Sequence, residues 1–209
     1  MTPRAAPGER REHAVLETRQ RVITAARELI LAGKLSRLSL GEVARRAAVA
    51  RATVYYRFGS KRGLLEAVVD NALSRADGRA LVAAYHHPDP VAATRAVLRE
   101  VARFWAAEFA VFQQLLALAA LDPDLRATLA GHTGAREAIL WGLVRRLEDA
   151  GRLRPGVEAS QAFDSLWLLT SFAAFRELHL VRGLDPSAVA ERLITLAGAV
   201  VDLEPERRS

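Results

Sequence analysis

Residues Ser39 to Lys61, S-L-G-E-V-A-R-R-A-A-V-A-R-A-T-V-Y-Y-R-F-G-S-K, constrain this chain more than any other segment. They read as a short helix, a tight turn, a second short helix, a break and the start of a third. Ser39 followed by Glu42 has capping-box spacing, in which each side chain satisfies a backbone N–H that the first helical turn leaves open. Leu40, Val43, Ala44 and Ala47 then recur on one helical face. Ala48-Val49-Ala50 supplies the turn, with Val49 directed into the core. The second helix starts near Arg51, and Val54 and Phe58 face inward four residues apart. Arg51, Thr53, Tyr55, Tyr56 and Arg57 are left to face outward. A helix face of cations, hydroxyls and aromatic rings suits the phosphates and base edges of double-stranded DNA.

The charge distribution points the same way. Residues 1–80 hold 16 Lys+Arg against 8 Asp+Glu, whereas residues 81–209 hold 14 against 16. A basic head on a near-neutral body is the electrostatic footprint of nucleic-acid binding. With 51% hydrophobic and 26% charged residues, the 209-residue chain has the balance of a soluble globular protein with a sizeable core. It has no cysteine, which excludes disulfides, thiolate metal sites and a cysteine nucleophile. The polar, Arg-rich N-terminus is unlike a secretory signal. The longest charge-free apolar stretches, 165–175 and 193–201, fall short of the roughly 20 residues that span a bilayer. The expected location is cytoplasmic, with no membrane partner.

No stretch alternates with period two, so the expected fold is all-α. Residues 1–12 read as a disordered arm, 13–59 as a helix-turn-helix domain, 60–203 as a helical bundle and 204–209 as a tail. The first helix is expected over about Ala14–Ala32, with Val15, Val22, Ile23, Ala26, Leu29 and Ile30 inward and Gly33 ending it. A fourth helix, capped by Ser60, is expected to run unbroken to about Ala83 through Leu64, Leu65, Val68 and Leu73. Helices then follow near 91–107, 110–121, 135–150, 159–181 and 186–203, with a short one after Asp122.

The motif resembles the helix-turn-helix of the TetR family of bacterial transcriptional repressors. The T-V-Y-Y-R-F-G-S-K run followed by Gly63-Leu64-Leu65 is similar to that family's signature, and the specific match covers roughly residues 15–68. Two positions depart from it: Ala48 stands where the family's turn carries Gly, and Ala50 where Ser or Thr is common. An Ala held in the left-handed region costs on the order of 1 kcal/mol. The resemblance implies a homodimeric repressor that reads a palindromic operator and is released by a small effector held in the C-terminal bundle. By residue-to-residue match it assigns base reading to Arg51, Ala52, Thr53 and Arg57, and phosphate contacts to Tyr55, Tyr56 and Lys61. Gly41 occupies a position from which relatives sometimes read a base, and it has no side chain to do so. Arg10 and Arg11 are placed to reach a minor groove.

Ten of the thirteen aromatic residues lie after residue 80, and each one alone reads as core. Together with the resemblance they suggest an apolar effector site whose lining includes Trp105, Phe109, Phe112 and Trp141, with Gln113, His132 and Thr170 as polar anchors. Leu193, Leu196, Ala197 and Val200 form one stripe and Leu166, Leu169, Ala173 and Ala174 another. These stripes pack either inside one chain or, as the resemblance implies, as a four-helix dimer seam of the last two helices. No Glu has a His three residues later, His86 and His87 diverge, and there is no phosphate loop or nucleophile elbow. No enzyme, metal site or cofactor is expected. An effector-independent architectural DNA-binding protein and a protein-interaction bundle remain as alternatives.

Overall fold

The computed structural model describes residues 7–33, 38–75 and 78–204, with side chains from His13 onward apart from those of Arg79 and Asp124. It is all-α: α1 (Pro7–Leu31), α2 (Leu40–Arg46), α3 (Arg51–Phe58), α4 (Lys61–Arg75), α5 (Gly78–Tyr85), α6 (Pro90–Ala119), α7 (Pro123–Gly131), α8 (Gly134–Asp149), α9 (Ala159–Leu169), α10 (Phe172–Arg176), a π-helical turn (Glu177–Val181) and α11 (Pro186–Ala197). The chain forms two compact units, Met1–Leu73 with Ala110–Ala130, and Ser74–Phe109 with Gly131–Ser209.

In the first unit the helix-turn-helix is built as its sequence dictates. Ser39 caps α2 by accepting from the Glu42 N–H at 3.2 Å. Leu40, Val43, Ala44 and Ala47 are buried, as are Val22, Ile23, Ala26, Leu29 and Ile30 of α1, Val54 of α3 and Leu64, Leu65 and Val68 of α4. The turn is a Schellman closure, in which Val49 N–H donates to Ala44 O at 3.0 Å and Ala48 N–H to Arg45 O at 3.3 Å. That closure puts Ala48 at φ 52°, the one positive φ borne by a residue other than glycine among the described residues. Ala48→Gly is therefore expected to stabilise the domain by about 1 kcal/mol and to raise Tm by roughly 2–4 °C. An unchanged or lower Tm in calorimetry would show that the turn carries no strain.

The second unit holds an apolar cluster. Val91, Leu98 and Ala102 of α6 meet Leu140, Val144 and Leu147 of α8, Leu166 of α9, Phe175 of α10, and Val189, Leu193, Ile194 and Ala197 of α11. An isolated antiparallel bridge, Leu153 to Val201, closes the chain end onto the α8–α9 loop. Asp185 caps α11 by accepting from the Ser187 and Ala188 N–H groups at 2.9 and 3.0 Å. The Ala188 bond, then the Ser187 hydroxyl, hold its carboxyl below the ordinary carboxylate range. A depressed carboxylate stabilises the fold above the unfolded pKa and loses that contribution as pH falls through the folded value. This cap therefore weakens only in acid.

Several expected boundaries are corrected. The first helix begins at Pro7 rather than near Ala14, which shortens the arm expected over residues 1–12, and Val15 is exposed. Of the helix expected over Ser60–Ala83, α4 covers Lys61–Arg75 and α5 starts at Gly78, and residues 76 and 77 between them lie outside the described residues. Leu73 near the end of α4 is exposed. The helices expected over 91–107 and 110–121 are one helix of 30 residues, because no Gly, Pro or capping residue interrupts residues 107–110. The helix expected over 159–181 breaks at Thr170-Ser171. There Thr170 Oγ1 donates back to Leu166 O at 2.8 Å, and Ser171 Oγ accepts from Ala174 N–H at 3.1 Å to start α10. The last helix ends at Ala197, before Gly198. Among the described residues no helix is long and apolar enough to cross a membrane.

Candidate nucleic-acid interface

The exposed face of α3 starts at its first residue. Arg51, Ala52, Tyr55 and Tyr56 are exposed, Tyr56 by 92%. Among the described residues none covers that ring. Arg51 donates from Nη2 to the Tyr55 hydroxyl at 3.1 Å and lies 5.2 Å from the centroid of that ring. The hydrogen bond, then the charge interaction with Tyr55, raises the guanidinium above the ordinary arginine range. The pair presents one cation already oriented by its neighbour. Arg51 also leans over α2: a Cβ added to Gly41 would meet its Nε at 3.8 Å. Thr53 is half-buried between this face and the core side.

Two expectations, one about the turn and one about α3, change. Val49 is half-buried rather than plugged into the core. Arg57 is drawn back: Nη1 donates to the Val15 carbonyl of α1 at 3.2 Å, and its Nε is sealed from solvent without a partner. Its helical phase put it outward, and an acceptor 42 residues earlier turns it inward.

Lys61 stands at the start of α4, one residue beyond the Ser60 cap that accepts from Gly63 N–H at 3.1 Å. It is half-buried at the rim of a cavity of about 100 Å³ lined also by Arg62, Leu65, Asp122, Leu125 and Thr128. The α3–α4 junction is tight, since a Cβ on Gly63 would lie 2.2 Å from the Phe58 carbonyl oxygen. Neighbouring basic residues are already paired: Arg45 with Glu42 at 2.6 Å, Arg46 with Glu28 at 2.6 Å and Arg62 with Glu66 at 2.9 Å. The side chains of Arg10 and Arg11 lie outside the described residues.

The candidate effector residues divide. In the second unit, Trp105 Nε1 donates to Thr170 O at 3.0 Å, and its ring meets Phe172 edge-on at 5.3 Å. Phe109 stacks on Phe172 at 5.4 Å and meets the His179 ring edge-on at 5.3 Å. Trp141 belongs to a separate stack with Phe163 at 4.3 Å, which continues to Trp167 at 5.8 Å. Thr170 is buried with its hydroxyl spent on Leu166, so its carbonyl is what its neighbours use. His132 is half-buried. Phe112, buried, and Gln113, half-buried, belong to the first unit. Arg136 and His179 were missed. Arg136 lies 3.7 Å over the Trp167 ring, and His179 Nδ1–H donates to Leu184 O at 2.7 Å. Neither contact follows from helical periodicity.

The seam stripes divide too. Leu166, Leu193 and Ala197 are buried in their own subunit's core. Ala173 and Leu196 are exposed, with Leu168, Leu180 and Val181, which the stripes omitted. Among the described residues no group of three or more His, Asp or Glu is placed to hold a metal ion.

Residues 22–68 match the family model for bacterial regulatory proteins of the TetR family. The transcriptional regulator AlkX of Mycobacterium tuberculosis is 27% identical over 188 residues, 90% of this chain and 76% of AlkX. NalD of Pseudomonas aeruginosa, the secondary repressor of the MexAB-OprM multidrug efflux pump, is similar in structure with a TM-score of 0.67. It is 24% identical, over 90% of this chain and 98% of NalD. The SmeT–triclosan complex superposes with a TM-score of 0.72 at 17% identity, over 88% of this chain and 92% of that one. Residues 22–68 thus carry the DNA-binding segment of the TetR family model, and these solved structures share this chain's fold along most of its length.

Proposed function

We propose that this protein is a homodimeric transcriptional repressor that occupies a near-palindromic operator and is released by a small, largely apolar effector bound in its second unit. Such a protein works in the cytoplasm, where its DNA is. The observation that carries the reading is the α3 face: Arg51, Ala52, Tyr55 and Tyr56 exposed together on a helix inside the matched segment. Arg51 and Thr53 read bases in the major groove, Ala52 packs on a thymine methyl, and Tyr55, Tyr56 and Lys61 hold phosphates. Arg57, tied to Val15, supports the seating of α3 on α1.

Arg51→Ala is expected to cost about 1–3 kcal/mol on the operator and little on random DNA. Lys61→Ala is expected to weaken both alike and to lower the salt slope of log K by about 1. Affinities across a salt series separate the two; equal losses on both DNAs for Arg51→Ala would remove it from base reading.

The effector reading draws on the rings around Trp105 and Phe109, and on SmeT, a protein of this fold held with triclosan. Release needs a path from ligand to α3. The α4 helix, Lys61–Arg75, has 15 residues, about 22 Å at 1.5 Å each. Its last residue, Arg75, faces the buried Glu108 of α6 at 3.7 Å. The Trp105 and Phe109 rings stand on that same α6. A ligand that displaces them shifts α6 and, through Glu108, the end of α4. The dimer seam lies on Leu168, Ala173, Leu180, Val181 and Leu196 in this reading.

A further inference from the structure

Among the described residues, the second unit holds a cation that no carboxylate pairs with. Arg136 stands in the first turn of α8, half-buried, its guanidinium carbon 3.7 Å from the centroid of Trp167. Its one hydrogen bond is long, from Nη1 to the Thr170 carbonyl at 3.5 Å, and its Nε is sealed from solvent with no partner. No carboxylate among the described residues pairs with it. Burial pushes its pKa down, yet an arginine keeps its proton, so the desolvation stands as a cost. Trp167 and the α9 carboxyl end offset part of that cost. The start of α8, which disfavours a cation, adds to it. Beside the guanidinium, Trp167, Phe163 and Trp141 form a continuous stack of rings, each half-buried and so incompletely covered by its own chain.

We propose that Arg136 is the anchor for a carboxylate on the effector, whose apolar body lies against the Trp141–Phe163–Trp167 stack. The proposal rests on the effector-release reading and narrows it from an apolar ligand to an amphipathic organic acid. A planar carboxylate is what a guanidinium accepts best, and with Nε sealed from solvent the Nη1–Nη2 end is the one that would meet it with parallel N–H donors. The ring stack supplies the apolar half of the site, and the cation fixes the orientation.

The test uses two probes of one size and shape, 1-naphthylacetate and its neutral amide, read by tryptophan fluorescence and thermal shift on the full-length protein. The acid is expected to bind the wild type at least about ten-fold more tightly than the amide. Arg136→Gln should erase that preference while leaving the weak amide binding unchanged. Arg136→Lys, which keeps the charge but not the paired donors, should retain part of it. Circular dichroism and operator binding of both variants control for folding. Equal affinity of the two probes in the wild type, or a preference that survives Arg136→Gln, would overturn the assignment. So would dissociation of the Arg136→Gln dimer in sedimentation, which would place the counter-ion on a second copy. If neutral or cationic compounds release the operator and acids do not, this inference falls and the effector reading stands. If no compound of any charge class releases it, the effector reading falls as well.

Discussion

Gly63→Ala is expected to abolish operator binding while leaving the second unit folded. The added Cβ would sit 2.2 Å from the Phe58 carbonyl oxygen and 3.3 Å from its carbon. Both atoms are backbone, so no side-chain rotation relieves the overlap. Either the carboxyl end of α3 lifts away from α4, or the first turn of α4 unwinds and loses the Ser60 cap on Gly63. Overpacking of this kind costs about 1–3 kcal/mol, and here it falls on the joint that aims the recognition helix. Operator affinity should drop by far more than stability alone explains, since Arg51 and Tyr56 move with α3. Gly41→Ala is the control, because its Cβ meets only the Arg51 side chain at 3.8 Å or more. Near-normal operator affinity for Gly63→Ala would mean that the joint has slack.

The second large effect is expected from Leu196→Arg. Leu196 is 48% exposed on α11, outside its own core, so the substitution spares the fold of the subunit. In a two-fold seam it would bring a cation from each copy to the same apolar surface, and each buried charge costs several kcal/mol. Sedimentation should show folded monomers. Operator affinity should fall by on the order of 100-fold or more, because each half-site then binds without the effective concentration its neighbour supplied. Leu121→Arg, at a residue 86% exposed in the first unit, should remain dimeric. A dimeric Leu196→Arg would move the seam off α11.

The helix-turn-helix was legible because its determinants are local. Ser39 and Glu42, the apolar stripe of α2 and the inward Val54 lie within a few residues of one another. The break at Thr170-Ser171 is different, because those residues also sit inside helices when they bond back one turn. What fixes the break is distant: the Trp105 indole, 65 residues away, takes the Thr170 carbonyl. Arg57 and Arg136 follow the same rule. The Val15 carbonyl and the Trp167 ring decide where they point, and periodicity carries no record of either. The seam stripes mixed core with surface for a related reason. One helical face can serve its own chain and a neighbour, and only burial separates Leu193 from Leu196.

Arg51 rests across Gly41, at 3.8–3.9 Å from where a Cβ would stand. An alanine there keeps ordinary contact, while any longer side chain must push the guanidinium along the groove. Under the proposed base-reading role of Arg51, position 41 is thus a tuning screw for recognition that itself touches no base. Divergence of operator preference among descendants of this protein has two routes: exchange of Arg51 itself, which forfeits a contact at once, or gradual growth at position 41, which re-aims the same arginine.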